Sequence, residues 1–147
     1  MEGRREKFEL WVSQMDKQLD YFVNSFDDSM KEKLDFSLES FDVLETWLLK
    51  SFASYQDFSD PKVANFVDYL ARYIGETICR NINAEWDISL SDPNDELYGM
   101  PIIVEASENE FIACPHALPT AIINRKTGHF LMTLLAMLIH EWGEKTT

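Results

Sequence analysis

The chain is poor in the residues that usually announce chemistry. It holds two cysteines and three histidines in 147 residues. Cys79 and Cys114 form neither a C-x-x-C pair nor a zinc spacing, and both read as buried small hydrophobes. Glycine and proline number five each, which excludes collagen-like and linker-like chains. Cations are scarce: 13 Lys plus Arg stand against 26 Asp plus Glu, a formal charge of −13. Nucleic acids and anionic membrane surfaces are recognised by clustered Lys and Arg, so both are poor partners for such a chain. Long apolar runs are lacking as well. The longest uncharged stretches, residues 111–124 and 127–140, fall short of the ~20 residues a spanning helix needs. The N-terminal residues pass directly into an amphipathic pattern and not into an apolar signal core, so the expected compartment is the cytoplasm. No G-x-S-x-G, P-loop or G-x-G-x-x-G occurs.

What is present is apolar surface. At 46% hydrophobic and 13% aromatic residues, the chain can offset the entropy of ordering one domain, residues 1–147. Phe8, Trp11, Met15, Leu19, Phe22 and Phe26 recur at intervals of three and four, predicting one long amphipathic helix that Asp27-Asp28-Ser29 breaks or caps. Ser37 is placed to cap a second helix carrying Leu38, Phe41, Leu44, Leu48 and Phe52. Asp60-Pro61 is a start signal for a third, marked by Val63, Phe66, Val67, Leu70, Ile74 and Ile78. Gly75 lies inside that pattern, where glycine costs about 1 kcal/mol against alanine, and implies close packing against the backbone. Beyond Asn81 the period changes to two. Residues 85–90, 100–104 and 110–113 read as three strands of an antiparallel meander. The state of residues 117–125 is open. Phe130 to Trp142 is a final helix, apolar nearly all round, which must be covered on most sides either at the domain centre or by a second copy in a homodimer. The expected class is α+β: a helical N-terminal half packed on a small three-stranded antiparallel sheet, with a buried C-terminal helix.

Charge is distributed unevenly. Between Arg80 and Arg125 there is no Lys or Arg, yet Glu85, Asp87, Asp92, Asp95, Glu96, Glu105, Glu108 and Glu110 fall there. Neighbouring carboxylates repel unless they are solvated or face a cation, so this segment is expected to meet a basic protein partner. Glu85, Asp87, Asp92, Asp95, Glu96 and Glu105 are the expected contact carboxylates, with Trp86 and Tyr98 as aromatic anchors if exposed.

Other constellations carry weaker chemistry. His140-Glu141-Trp142-Gly143-Glu144 begins like a zincin motif but lacks its second histidine, and needs another ligand from His116 or Glu76. A cysteine nucleophile would need Cys79 or Cys114 beside a histidine in space. Glu76 on the third helix can accept a hydrogen bond from the Trp86 indole or the Tyr98 hydroxyl, fixing helix on sheet. The same surroundings, with Tyr73 and His116, define the alternative of a small-ligand pocket or a hydrolase. No catalytic residue, metal or cofactor is assigned.

Asp35-Phe36-Ser37-x-x-Ser40, Tyr73-x-Gly75-Glu76, Trp86 and Tyr98-Gly99-x-Pro101 together resemble a family of small bacterial proteins of unknown function, over roughly residues 34–130. The resemblance implies a Ser-capped helix and a Tyr-x-Gly-Glu helix ahead of a small sheet, and it carries no activity. In size and acidity the chain is also similar to immunity proteins of bacterial toxin systems, which neutralise a basic toxin by covering it. The expectation is therefore a non-catalytic, immunity-like or regulatory binder.

Overall fold

The computed structural model describes residues 2–52 and 63–142. Among them, seven helices flank a three-stranded antiparallel sheet, the expected α+β class. The Asp60-Pro61 start signal lies outside the described residues.

The expected first helix is two, α1 (Glu2–Ser13) and α2 (Met15–Asn24). The cause is tertiary. Arg72, buried on the third long helix, donates from Nη1 to the Trp11 carbonyl at 2.8 Å, and Gln14 N–H makes a tighter three-residue bond to that same oxygen at 3.3 Å. A side chain inserted into the helical ladder in this way ends or bends a helix. Beyond the break the Met15, Leu19 and Phe22 stripe is buried along α2.

Asp27 caps α3 (Asp28–Lys33) by accepting from Met30 N–H at 2.9 Å. Ser37 caps α4 (Leu38–Ser51) by accepting from Ser40 N–H at 3.1 Å. The long helix α5 (Ala64–Asn81) runs through the core, burying Leu70, Ile74 and Ile78. It is tied to the α3–α4 corner by Tyr73, whose hydroxyl donates to Ser40 Oγ at 2.8 Å and accepts from Phe36 N–H at 3.0 Å. Phe36 has a positive φ of 62°, and Asn81 Nδ2 holds its carbonyl at 3.0 Å. The Asp35–Ser40 motif is thus a corner clamp closed by α5.

Strands β1 (Ala84–Ile88), β2 (Pro101–Glu105) and β3 (Phe111–Ala113) pair in chain order. Trp86 pairs with Ile103, and Ile103 with Ala113, so this row faces α5. A Cβ on Gly75 would fall within the Trp86 ring, with Pro115 Cγ 3.1 Å away. The glycine exists to let the sheet's indole reach the helix backbone, as its mid-helix position implied.

After a single 3₁₀ turn (Pro115–Ala117), residues 118–125 form helix α6 (Leu118–Arg125), settling the segment left open, and Lys126 ends it with φ 51°. The C-terminal helix α7 (Phe130–Trp142) packs on α4. Its first two amide groups, Phe130 and Leu131, donate to the buried Glu45 carboxylate of α4 at 3.0 and 2.7 Å. Leu131, Leu135, Leu138 and Trp142 are buried, but Ala136 and Met137 are exposed. Among the described residues the helix is therefore covered along one ridge, which is enough to seat it on α4.

Candidate functional site

The sheet's outer face is built by alternation. With Trp86 turned inward, Glu85 and Asp87 turn outward, and Glu85, Val104 and Phe111 form one row across the three strands. Ile102, Val104 and Cys114 make a small second core beneath Leu97 and Met100 of the β1–β2 loop. That loop is clamped at its stem, where Gly99 N–H donates to the Ser89 carbonyl at 2.6 Å and Ser89 N–H to the Met100 carbonyl at 3.2 Å. Asp92 and Asp95 shape it by accepting from Asn94 and Leu97 N–H, each at 2.9 Å. Asp92, Asp95 and Glu96 are nevertheless exposed, as are Glu85, Glu108 and Glu110. None of these six carboxylates forms an ion pair among the described residues.

Four expected contact residues are partly or fully buried and held by contacts within the fold. Glu105 is buried, 5% exposed, and folds back to accept from Ser107 Oγ at 2.5 Å and Glu108 N–H at 2.6 Å, closing the β2–β3 turn. It serves the turn and not the surface. Trp86 is half-buried between Gly75 and Trp11 and donates its indole N–H to Glu76 at 3.2 Å, the helix-to-sheet contact the sequence implied. Tyr98 is half-buried, with the Arg4 guanidinium 5.2 Å above its ring. Neither is a free anchor. Asp87 is half-buried, bonding the following N–H at 2.8 Å. The aromatic that is presented is Phe111, 52% exposed beside Glu110 and in the row of Glu85. The alternation of β3 signalled it, but Phe111 has to be paired with Val104 before its face is defined.

The pocket residues also separate. Tyr73 is fully buried between Phe22 and Phe36, so it lines no cavity. Glu76 is taken up by the Trp86 indole and by Arg80, whose Nε lies 3.9 Å away. His116 bonds through Nε2 to Asp68 Oδ1 at 2.9 Å, while its Nδ1 is buried with no hydrogen-bond partner among the described residues.

Asp68 is the centre of a cluster that sequence reading missed. It accepts from the Trp11 indole at 2.9 Å, from His116 at 2.9 Å and from Arg72 Nε at 3.0 Å. Burial alone would raise its pKa; the three hydrogen bonds and the Arg72 charge outweigh that and lower it to about 2. The anionic Asp68 accepts from Nε2–H of His116, and the ring's other nitrogen, Nδ1, is closed off from solvent. A general base must reach substrate through its ring nitrogen, and with Nε2 on Asp68 and Nδ1 buried this Asp–His pair is arranged for cohesion. The i, i+4 spacing of Asp68 and Arg72 inside an apolar stripe was its only local signal.

The thiols are equally unsuited to attack. Burial, reinforced by the charges of Glu76 and Glu85, pushes Cys79 up to about 12. Burial also raises Cys114, against backbone N–H groups of Ala117 and His116 that stabilise its thiolate. Reactive cysteines have the opposite shift. His140 and Glu141 are exposed on the last turn of α7, and Glu144 lies outside the described residues. Among the described residues no three His, Cys, Asp or Glu are grouped to hold a metal ion, and no helix is long and apolar enough to cross a membrane. Comparison with family models, curated proteins and solved structures finds no match.

Proposed function

We propose that the protein is a non-catalytic, immunity-like or regulatory binder that engages a basic protein partner in a bacterial cytoplasm. The carrying observation is the set of six exposed carboxylates, Glu85, Asp92, Asp95, Glu96, Glu108 and Glu110, without an ion pair among the described residues. Phe111 supplies what charge alone does not, an apolar anchor inside an acidic rim. Opposite charge accelerates encounter and rejects wrong partners more than it adds affinity, so the anchor carries much of the residence time.

The test is capture by the tagged protein, followed by titration of whatever is retained against purified variants. A basic protein held at low salt should be lost by the variant combining Glu85→Lys, Asp92→Lys, Asp95→Lys and Glu96→Lys, and weakened about tenfold or more by Phe111→Ala. Capture indifferent to both changes, with circular dichroism showing intact folds, would overturn the reading. The alternative, a small-ligand site or hydrolase on Glu76 and His116, has less support because both side chains are spent on internal bonds.

A homodimer through α7 is compatible with this function. Its outer face, with Thr133, Ala136 and Met137, borders a groove of about 840 Å³, and no Asp, Glu, Lys or Arg falls between Phe130 and Ile139. Two copies of a strongly acidic chain repel over most of their surfaces, and this face, uncharged as far as Ile139 with Glu141 at the groove's end, is where that repulsion is low.

A further inference from the structure

At the other end of the sheet from the acidic turn at Glu108, the N-terminal half of α1 faces the end of β1 and the start of β2 across a cleft of about 500 Å³. Its apolar wall is Phe8, Trp11, Ile88 and Pro101, and its cations are Arg4 and Lys7. We propose that this cleft binds a small organic acid, an apolar body carrying one carboxylate.

Three observations support the assignment. Arg4 and Lys7 have no carboxylate partner among the described residues, although acids outnumber bases two to one in the chain. Both cations are exposed at the mouth of the cleft and adjoin its apolar floor. The guanidinium fork matches a carboxylate's two oxygens, and Lys7, one turn on along the same helix face, adds a point charge.

The floor is also held in place before any ligand arrives. The Trp11 indole is fixed by its 2.9 Å bond to Asp68, has Arg72 stacked 4.1 Å from its ring, and meets Trp86 edge-on at 4.8 Å. Phe8 lies nearly parallel to it, with ring centroids 6.3 Å apart and 19° between planes. A rigid aromatic wall loses little freedom on binding.

Gly99 completes the rim. Its φ is +80°, and a Cβ there would come 2.6 Å from Arg4 Nη1. The bare backbone lets the guanidinium lie across the turn, beside the Tyr98 ring, at the edge of the cleft. The volume lies within the ~300–1,000 Å³ range of small-ligand sites and suits a ring with a short acidic arm.

Titration of the ¹⁵N-labelled protein with phenylacetate, and in parallel with phenylacetamide, tests this. A fragment of about ten heavy atoms binds in the millimolar range. Phenylacetate should shift the Gly99 amide and the Trp11 indole resonance saturably, phenylacetamide about tenfold more weakly or not at all. The Arg4→Gln/Lys7→Gln double variant, whose changes fall on exposed side chains, should lose the response while keeping its spectrum otherwise intact. Equal shifts with acid and amide, shifts unaffected by the double variant, or no saturable shift up to about 10 mM would each overturn the proposal.

Discussion

Asp68 draws hydrogen bonds from α1, from its own helix and from the 3₁₀ turn before α6, so it joins three parts of the chain at one carboxylate. Unfolded, it titrates near the ordinary 3.8; folded, at about 2. The unfolded chain therefore binds that proton more tightly. The stability Asp68 contributes is complete above its unfolded pKa and is lost as pH falls through its folded one. With the side chain 36% exposed, solvent screening reduces the linkage to about 1–2 kcal/mol. Urea midpoints of wild type and Asp68→Asn should differ most near neutral pH and converge toward about pH 2. A gap independent of pH would contradict this account. Gly75 gives a second test at the same scale. Helix propensity favours Gly75→Ala by about 1 kcal/mol. Here the added methyl must displace the Trp86 ring and its bond to Glu76, so a net loss of about 1–3 kcal/mol is expected, with altered tryptophan emission. A stabilised variant would show that the indole is not seated against the helix.

Among the elements, those with a local period were legible. The α4 cap at Ser37, the α5 stripe and the three strands were all readable because a 3.6- or 2-residue repeat records which side faces the core. The break between α1 and α2 was not, because its cause is an arginine 61 residues away. The outer face of α7 was left between two alternatives for a related reason: apolar character on every side shows that burial is favourable, not whether this chain or a second copy supplies the cover. If that face pairs two copies, Met137, 63% exposed, lies in the contact. Met137→Glu should then leave the unfolding free energy of the monomer unchanged within about 0.5 kcal/mol and abolish any dimer seen by light scattering. A wild-type protein monomeric at high concentration would remove the dimer reading.

At the scale of the molecule, the net charge of −13 gave the right sense of the surface but not its map. Six of the eight acids between Arg80 and Arg125 face solvent, while Glu105 is consumed by a turn. Proximity in sequence cannot separate them. Composition, hydrophobic period and capping residues by themselves determined the α+β class, the order of the periodic helices and strands and the acidic character, because each depends on interactions within a few residues; they fixed neither the α1–α2 break nor α6. Only the tertiary structure decided that Tyr73 closes a corner, that Phe111 and not Trp86 or Tyr98 is presented, and that Asp68 gathers Trp11, Arg72 and His116. Those outcomes depend on contacts between residues as far as 57 positions apart, which form only where packed helices and paired strands bring distant backbone together.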